Sequence, residues 1–315
     1  MKFINEFMNG DAINGIYLCK QKTMGVAKNG KEYISLELQD KTGKIDAKIW
    51  DIIASVKTPF DQLDFVKVTG RVSTYADSLQ FTVDTISKAN SYEYEASNYF
   101  PCTEKNTDMM YAEIIALTNK VKNGYYRNIL SKIYMEDDQI IEKILVHSAA
   151  KSVHHGFIGG FLEHTLSVAK ICDFFCNHYD ILNRDLLLTA ALIHDIGKIY
   201  ELSSFPANDY TDEGMLLGHI VIGCEKITEI ASQIPDFPVN ALNELKHCIL
   251  AHHGELEYGS PKKPALIEAV ALHYADILDA RMETFIEVLK GTDENNINWL
   301  GYNRFLDSNI RRTIL

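Results

Sequence analysis

Two domains of different class are predicted, a small all-β closed barrel followed by an all-α domain, and three observations predict them. The chain has 315 residues, about twice the length of a typical single domain. Its first ninety or so residues alternate apolar and polar side chains with period two, and everything after Asp108 repeats with helical spacing. With 46% apolar residues, both parts can build a core.

The strands come first. Ile34, Leu36 and Leu38 alternate with Tyr33, Ser35 and Glu37, the pattern of one buried face. Asp40-Lys41-Thr42-Gly43 is a turn, and Ile45, Ala47 and Ile49 alternate beyond it with Asp46, Lys48 and Trp50. Two further runs, Phe65 to Val72 and Leu79 to Ile86, are joined by the short polar stretch from Ser73 to Ser78. With the run from Ile13 to Cys19 this makes five strands, and five at this spacing fit a small closed barrel of the OB type. Its binding face would lie between the loops Gln21 to Glu32 and Thr74 to Ser78, with a longer insert from Asp51 to Asp61.

The expected boundaries are a barrel over 1–92, a polar linker containing Pro101 over 93–107, an all-α domain over 108–290 and a C-terminal tail over 291–315. Helical spacing links Met109, Ala112, Ile115 and Ala116, then Leu162, Leu166 and Ala169, then Leu187, Ala190 and Ala191. Asn183 reads as an N-cap, Gly197 and Gly254 as helix-ending glycines, and Pro264 to Lys290 as one long helix.

Composition excludes some classes. No apolar run approaches the roughly 20 residues of a membrane helix, and the start MKFINEFMNGD lacks the features of a signal peptide. Six cysteines never form CxxC, so reduced thiols in a cytoplasm are expected. The net charge of −12 argues against a nucleic-acid partner until it is divided by domain. Residues 1–92 carry 12 basic and 11 acidic groups, a balance of +1, which leaves −13 on the remainder. The barrel, with lysines 20, 22, 28 and 31 in and around its first loop, suits moderate, salt-sensitive binding of a single strand.

Ten of the eleven histidines fall between Ala150 and Asp276, and five of these share a pattern. His164 lies early in a helix that follows Gly159-Gly160. His194-Asp195 closes an apolar helix, and His219 opens another after Gly218. His252-His253 ends the next helix before Gly254, and Asp276 sits inside the long one. A lone histidine on an apolar helix is more often a hydrogen-bonded core residue. The ordered set His, His-Asp, His, His-His, Asp in one helical domain is a different matter. It reads as a metal site of imidazole and carboxylate donors, suited to Mn, Fe, Zn, Ni or Co more than to Ca. A carboxylate flanked by histidines can bridge two ions, the usual clamp for phosphoryl chemistry.

HTLSVAK, LIHDIGK, GHIVIG, AHHG and HYADILDAR together resemble the motifs of the HD-domain phosphohydrolase superfamily, over roughly Ser148 to Arg281. With an N-terminal OB barrel at this length, the whole chain is similar to the YhaM-type 3′→5′ exoribonucleases. The resemblance implies that His164, His194, Asp195 and Asp276 hold one ion. It also implies that Asp195 bridges to a second, held by His219, His252 and, as a further donor, His253. Manganese is the foremost ion, with Co, Fe, Ni, Zn and Mg as alternatives. Relatives with three ions carry a glutamate four residues before the first histidine; that position is Gly160 here, so no third ion is expected. Lys198 is the expected phosphate contact, and His155, beside His154, the candidate phosphate contact or proton donor to the leaving oxygen. Cys172, Cys176 and the aromatics Phe174, Phe175 and Tyr179 are read as core or interface.

On the barrel, Trp50 and Lys48 project from one outer face with Tyr33 and Ser35, a stacking platform beside a phosphate contact. Arg71 and Tyr75 are further candidates, and packing of Trp50 under the following insert is the competing reading. The leading reading is a metal-dependent exonuclease acting 3′→5′ on single-stranded RNA, with single-stranded DNA as a second substrate and 5′ mononucleotides as products. Its rivals are an HD phosphodiesterase acting on free or cyclic nucleotides, with the barrel as regulator, and a non-catalytic nucleic-acid-binding adaptor. The tail could serve as lid, RNA contact or subunit contact, which leaves room for a homo-oligomer.

Overall fold

The computed structural model describes residues 1–76, 78–151, 155–292 and 298–313. The chain divides into two compact units, Met1–Pro101 and Cys102–Leu315.

The first unit is a closed barrel of β1 (Ala12–Val26), β2 (Glu32–Asp40), β3 (Gly43–Ile49), β4 (Phe65–Tyr75) and β5 (Ser78–Lys88). The strand order is β1-β2-β3-β5-β4, with β4 returning to β1 and a parallel β3–β5 pair closing the ring, as in an OB fold. Alternation decides what faces inward: Leu36, Leu38, Ala47, Ile49, Val66, Val68 and Phe81 are buried, and their neighbours in sequence are not. Asp40 is buried at the β2–β3 turn because it is fully used. Its Oδ1 accepts from the Thr42 backbone N–H at 2.7 Å, and its Oδ2 from that of Ile4 at 2.7 Å.

Two expectations change here. The long first loop is mostly strand: β1 runs to Val26 through an irregularity at Cys19/Gln21, so that Lys20 and Lys22 lie in the sheet. The segment expected as linker from 93 packs on the barrel up to Pro101. Tyr94 stacks on Phe65 with ring centroids 3.8 Å apart, and buried Tyr99 donates its hydroxyl to the Ile16 carbonyl at 2.9 Å. Aromatic anchors spaced through a polar stretch carry no periodic signal. The insert holds a short helix, α1 (Ile52–Ser55), capped by Asp51.

The second unit is helical: α2 (Thr107–Lys120), α3 (Gly124–Ser131), α4 (Asp138–Val146), α5 (Gly160–His178), α6 (Arg184–Ile193), α7 (Lys198–Glu201), α8 (Asp212–Ser232), α9 (Val239–Ala251) and α10 (Ile267–Lys290). Every residue of α6 from Leu186 to Ile193 is buried and all but Thr189 are apolar, so this helix is the axis around which α2, α3, α5, α9 and α10 pack. Asn183 caps it, accepting from the Leu186 N–H at 3.2 Å. Gly254 does end α9 in the left-handed region, at φ 78°. Gly197 has ordinary helical dihedrals and serves another end: a Cβ there would stand 2.0 Å from the His219 carbonyl oxygen, so its small size lets α8 approach the His-Asp turn. In the tail, β6 (Trp299–Asn303) and β7 (Ser308–Arg311) pair as a hairpin. The Arg312 guanidinium holds it to the Leu289 carbonyl at the end of α10. No helix among the described residues is long and apolar enough to cross a membrane.

Candidate metal centre

Each expected ligand arrives on the end or face of a helix. His164 is on the second turn of α5, His194 and Asp195 follow α6, and Lys198 opens α7. His219 stands just after a break in α8 where Gly218 takes φ 74° and ψ 155°. His252 and His253 follow α9, and Asp276 is on α10.

The donors converge in two groups. His164 Nε2 lies 3.3 Å from His194 Nε2, 3.3 Å from Asp195 Oδ2 and 3.3 Å from Asp276 Oδ1. Asp195 turns its other oxygen, Oδ1, toward His219 Nε2 and His252 Nε2, each at 3.5 Å. His253 completes the second group, its ligand nitrogen within 4.8 Å of theirs. Donor atoms held about 2.0–2.2 Å from one ion lie roughly 3–3.6 Å apart, so these spacings are the edges of a coordination shell. Asp195 therefore divides its carboxylate between the two groups, as a bridging ligand does.

Hydrogen bonds at the other ring nitrogen decide what each imidazole offers. The Nδ1 of His194 faces the Ala191 carbonyl at 2.9 Å, that of His252 the Ile249 carbonyl at 2.7 Å, and that of His253 the Tyr258 carbonyl at 2.8 Å. A carbonyl can only accept, so Nδ1 carries the proton and Nε2 keeps its lone pair. His164 Nδ1 donates to Asp279 Oδ2 at 2.7 Å and His219 Nδ1 to Glu201 Oε1 at 3.2 Å. Carboxylates behind ligand imidazoles fix the tautomer and raise basicity. All five rings are thus set to present Nε2. Asp279 and Glu201 lie outside the ligand set that the motifs imply. Asp279 stands one helical turn after Asp276 inside HYADILDAR, and that spacing was the available signal.

Electrostatics support the same assignment. Burial pushes the His194 imidazole down to about 4, and burial with the neighbouring His252 and His219 does the same for His253, to about 4. Burial would raise Asp195, but Lys198 and His194 hold its carboxyl well below the usual range. His164 departs from the pattern: burial lowers it, yet contacts with Asp195, Asp276 and Asp279 outweigh burial and raise it. Asp195 Oδ1, His219 Nε2 and His252 Nε2 are buried with no hydrogen-bond partner among the described residues. Three orphaned donors aimed at one region fit a divalent ion, as does the imidazole–carboxylate mixture.

Lys198 joins the centre directly, with Nζ 2.6 Å from Asp195 Oδ2 and its side chain 19% exposed. His155 does not reach the converging nitrogens. It is 2% exposed and pairs through Nε2 with Asp279 at 3.1 Å, on the Nδ1 side of His164. His154 lies outside the described residues. Beside the centre, a cavity of ≈ 350 Å³ is lined by His253, Asp276, Tyr258, Arg281 and Phe305 of the C-terminal hairpin. A larger one, ≈ 610 Å³, is lined by Lys132 just after α3, Asp138 of α4 and Lys226 of α8, and none of the centre's donors borders it.

The barrel brings most of its expected contact residues together. Trp50 is 46% exposed, so it is not a plug under the insert, and its ring lies 4.9 Å from that of Tyr33. Lys48 Nζ is 5.6 Å from the Tyr33 ring centre. Register puts Lys48 beside Thr82, and Thr82 beside Arg71, in one row across β3, β5 and β4. Two strand spacings separate Lys48 from Arg71, about 10 Å. Tyr75 stands apart at the end of β4, paired with Ser78.

Fold and centre together define a metal-dependent phosphohydrolase of the HD class that carries an OB-fold module. The HD domain family matches residues 161–281, and the OB-fold nucleic acid binding domain family matches 19–89. The 3'-5' exoribonuclease YhaM of Listeria monocytogenes is 33% identical over 295 residues, 92% of each chain. The protein of that name from Geobacillus sp. (strain WCH70) is 33% identical over 92% of this chain and 88% of its own. The chain belongs to the family of the YhaM 3'-5' exoribonucleases.

Proposed function

We propose that this chain removes nucleotides one at a time from the 3′ end of single-stranded RNA, and of single-stranded DNA as a second substrate. The observation that carries the reading is the division of Asp195 between two sets of histidine Nε2 atoms, each ring locked by a partner at Nδ1. His164, His194, Asp195 and Asp276 would hold one ion, and Asp195, His219, His252 and His253 the other, with Mn²⁺ the preferred metal. Such ions supply Lewis-acid stabilisation of phosphoryl oxygens and a water activated near neutral pH.

The remaining work falls to the side chains. Asp195 keeps its charge because Lys198 neutralises it, so the bridging carboxylate stays available across the physiological range. Lys198 in turn holds a largely desolvated ammonium where negative charge gathers on the non-bridging oxygens. A fixed charge there contributes roughly 10²–10³ in rate. Asp279 and Glu201 hold His164 and His219 in one ring orientation, so that little reorganisation accompanies the reaction. On the barrel, Tyr33 and Trp50 offer stacking faces, and Lys48 and Arg71 offer phosphate contacts. The products are 5′ mononucleotides, and the enzyme works in the cytoplasm, where its six cysteines stay reduced.

The test uses a 5′-labelled single-stranded RNA with Mn²⁺, alongside a panel of free and cyclic nucleotides. A descending ladder with release of 5′ mononucleotides is expected. Turnover of nucleotides alone would replace the reading by a nucleotide phosphodiesterase, and no turnover with any divalent metal would leave a binding adaptor.

A further inference from the structure

We infer that His155, Glu163 and Glu283 form a separate divalent-cation site behind His164, on the opposite side from the phosphohydrolase centre. This site does not depend on which substrate the chain cleaves.

Three elements meet there. α10 presents Asp276, Asp279 and Glu283 at positions i, i+3 and i+7, one stripe along a helix face. α5 contributes Glu163, the residue before His164, and the loop ahead of α5 contributes His155. That loop lies directly on the first turn of the helix: a Cβ on Gly160 would stand 2.0 Å from the His155 carbonyl oxygen. The small size of Gly160 thus admits the backbone that carries His155.

The tautomer of His155 makes the case. Asp279 Oδ2 faces both His155 Nε2 and His164 Nδ1, at 3.1 and 2.7 Å. A carboxylate oxygen accepts, so in the neutral ring His155 Nε2 carries the proton and Nδ1 the lone pair. That Nδ1 is buried and has no hydrogen-bond partner among the described residues. One ring nitrogen of His155 and one oxygen each of Glu163 and Glu283 lie within 4.8 Å of one another. Nε2 is committed to Asp279, so Nδ1 is the nitrogen available to that group. A cation held between an unpartnered buried ring nitrogen and two nearby carboxylates satisfies all three groups.

The partners already present do not complete this balance. Glu163 pairs with Lys105 Nζ at 2.7 Å and with the Thr103 hydroxyl, but the Lys105 side chain is 62% exposed and screened by water. No ion pair of Glu283 is found among the described residues. Lys290, the other cation lining the adjoining cavity of ≈ 210 Å³, is paired with Glu104 at 2.8 Å.

One imidazole and two carboxylates suit Zn²⁺, Mn²⁺, Co²⁺ or Fe²⁺ better than Mg²⁺ or Ca²⁺. Asp279 would then stand behind two ligand imidazoles, His155 of this site and His164 of the phosphohydrolase centre. A cation here pins the loop to α5 and α10 and holds Asp279 in place.

Ion stoichiometry tests the proposal without any substrate. The full chain is stripped with chelator, reloaded with Mn²⁺ or Zn²⁺, desalted and measured by elemental analysis, with circular dichroism to confirm folding. Glu283→Gln is expected to bind one ion fewer per chain than the unmodified protein. Asp195→Ala is expected to keep one ion, which Asp195→Ala combined with Glu283→Gln loses. Glu163→Gln serves as a second single variant should Glu283→Gln fail to fold. Equal ion content in the folded Glu283→Gln or Glu163→Gln protein and the unmodified protein overturns this site. Equal content in Asp195→Ala and the unmodified protein instead overturns the phosphohydrolase centre, so the two failures are distinct.

Discussion

Asp279 Oδ2 accepts a 2.7 Å hydrogen bond from His164 Nδ1, and that contact decides which nitrogen His164 presents to Asp195 and Asp276. Asp279 makes no ligand contact of its own in this centre, so its effect passes through the orientation and basicity of the ring. Asp279→Asn keeps the shape but removes the charge. Loss of such a partner typically costs about 10–100-fold in metal affinity. Titration of the stripped protein with Mn²⁺ should show a weakening in that range, with activity restored at high Mn²⁺. Unchanged affinity would show that helix packing alone orients His164.

Asp195 is the one residue shared by both donor groups, so its removal should be more damaging than removal of any single histidine. Asp195→Ala is expected to abolish turnover and reduce metal content while leaving RNA binding by the barrel largely intact. Gel-shift, elemental analysis and the labelled-RNA assay together check this. Near-normal activity in the variant would be incompatible with the HD assignment.

Much of this centre was legible in the sequence because its ligands lie at helix ends or on the faces of apolar-periodic helices, where glycine and periodicity mark position. His164, His194, Asp195, His219, His252 and Asp276 meet as the motif order implied. What stayed hidden were contacts made across the fold. Glu201 pairs with a histidine 18 positions away, and His155 reaches Asp279 across 124 positions. The barrel shows the same division. Its alternating interior was readable from β2 and β3, whereas the packing of Tyr94 and Tyr99 on Phe65 had no period to reveal it.

His147 gives a pH dependence with a definite sign. It is 1% exposed, and burial lowers its imidazole below the ordinary value while contacts to the Ser148 and Leu202 carbonyls only partly oppose this. The folded chain therefore keeps His147 neutral at pH values where the unfolded chain binds a proton. This contribution is complete above the unfolded value near 6.5 and is lost as pH falls below it. His147→Gln should flatten the acid side of a melting-temperature profile in the presence of chelator. An identical profile for the two proteins would remove His147 from the acid sensitivity.

Trp50 separates strand binding from bond cleavage. Its ring is half exposed beside Tyr33 and belongs to the barrel unit, whereas every donor of the metal centre belongs to the helical unit. A stacked base is worth about 1–3 kcal/mol, or roughly 5–150-fold in binding. Trp50→Ala should therefore raise KM for long single strands within that range and leave dinucleotide hydrolysis nearly unchanged. Lys48→Ala should act on the same substrates but lose its effect as salt rises, because a phosphate contact is screened and stacking is not. If long strands and dinucleotides suffer equally in Trp50→Ala, the ring supports the barrel's fold and does not bind a base.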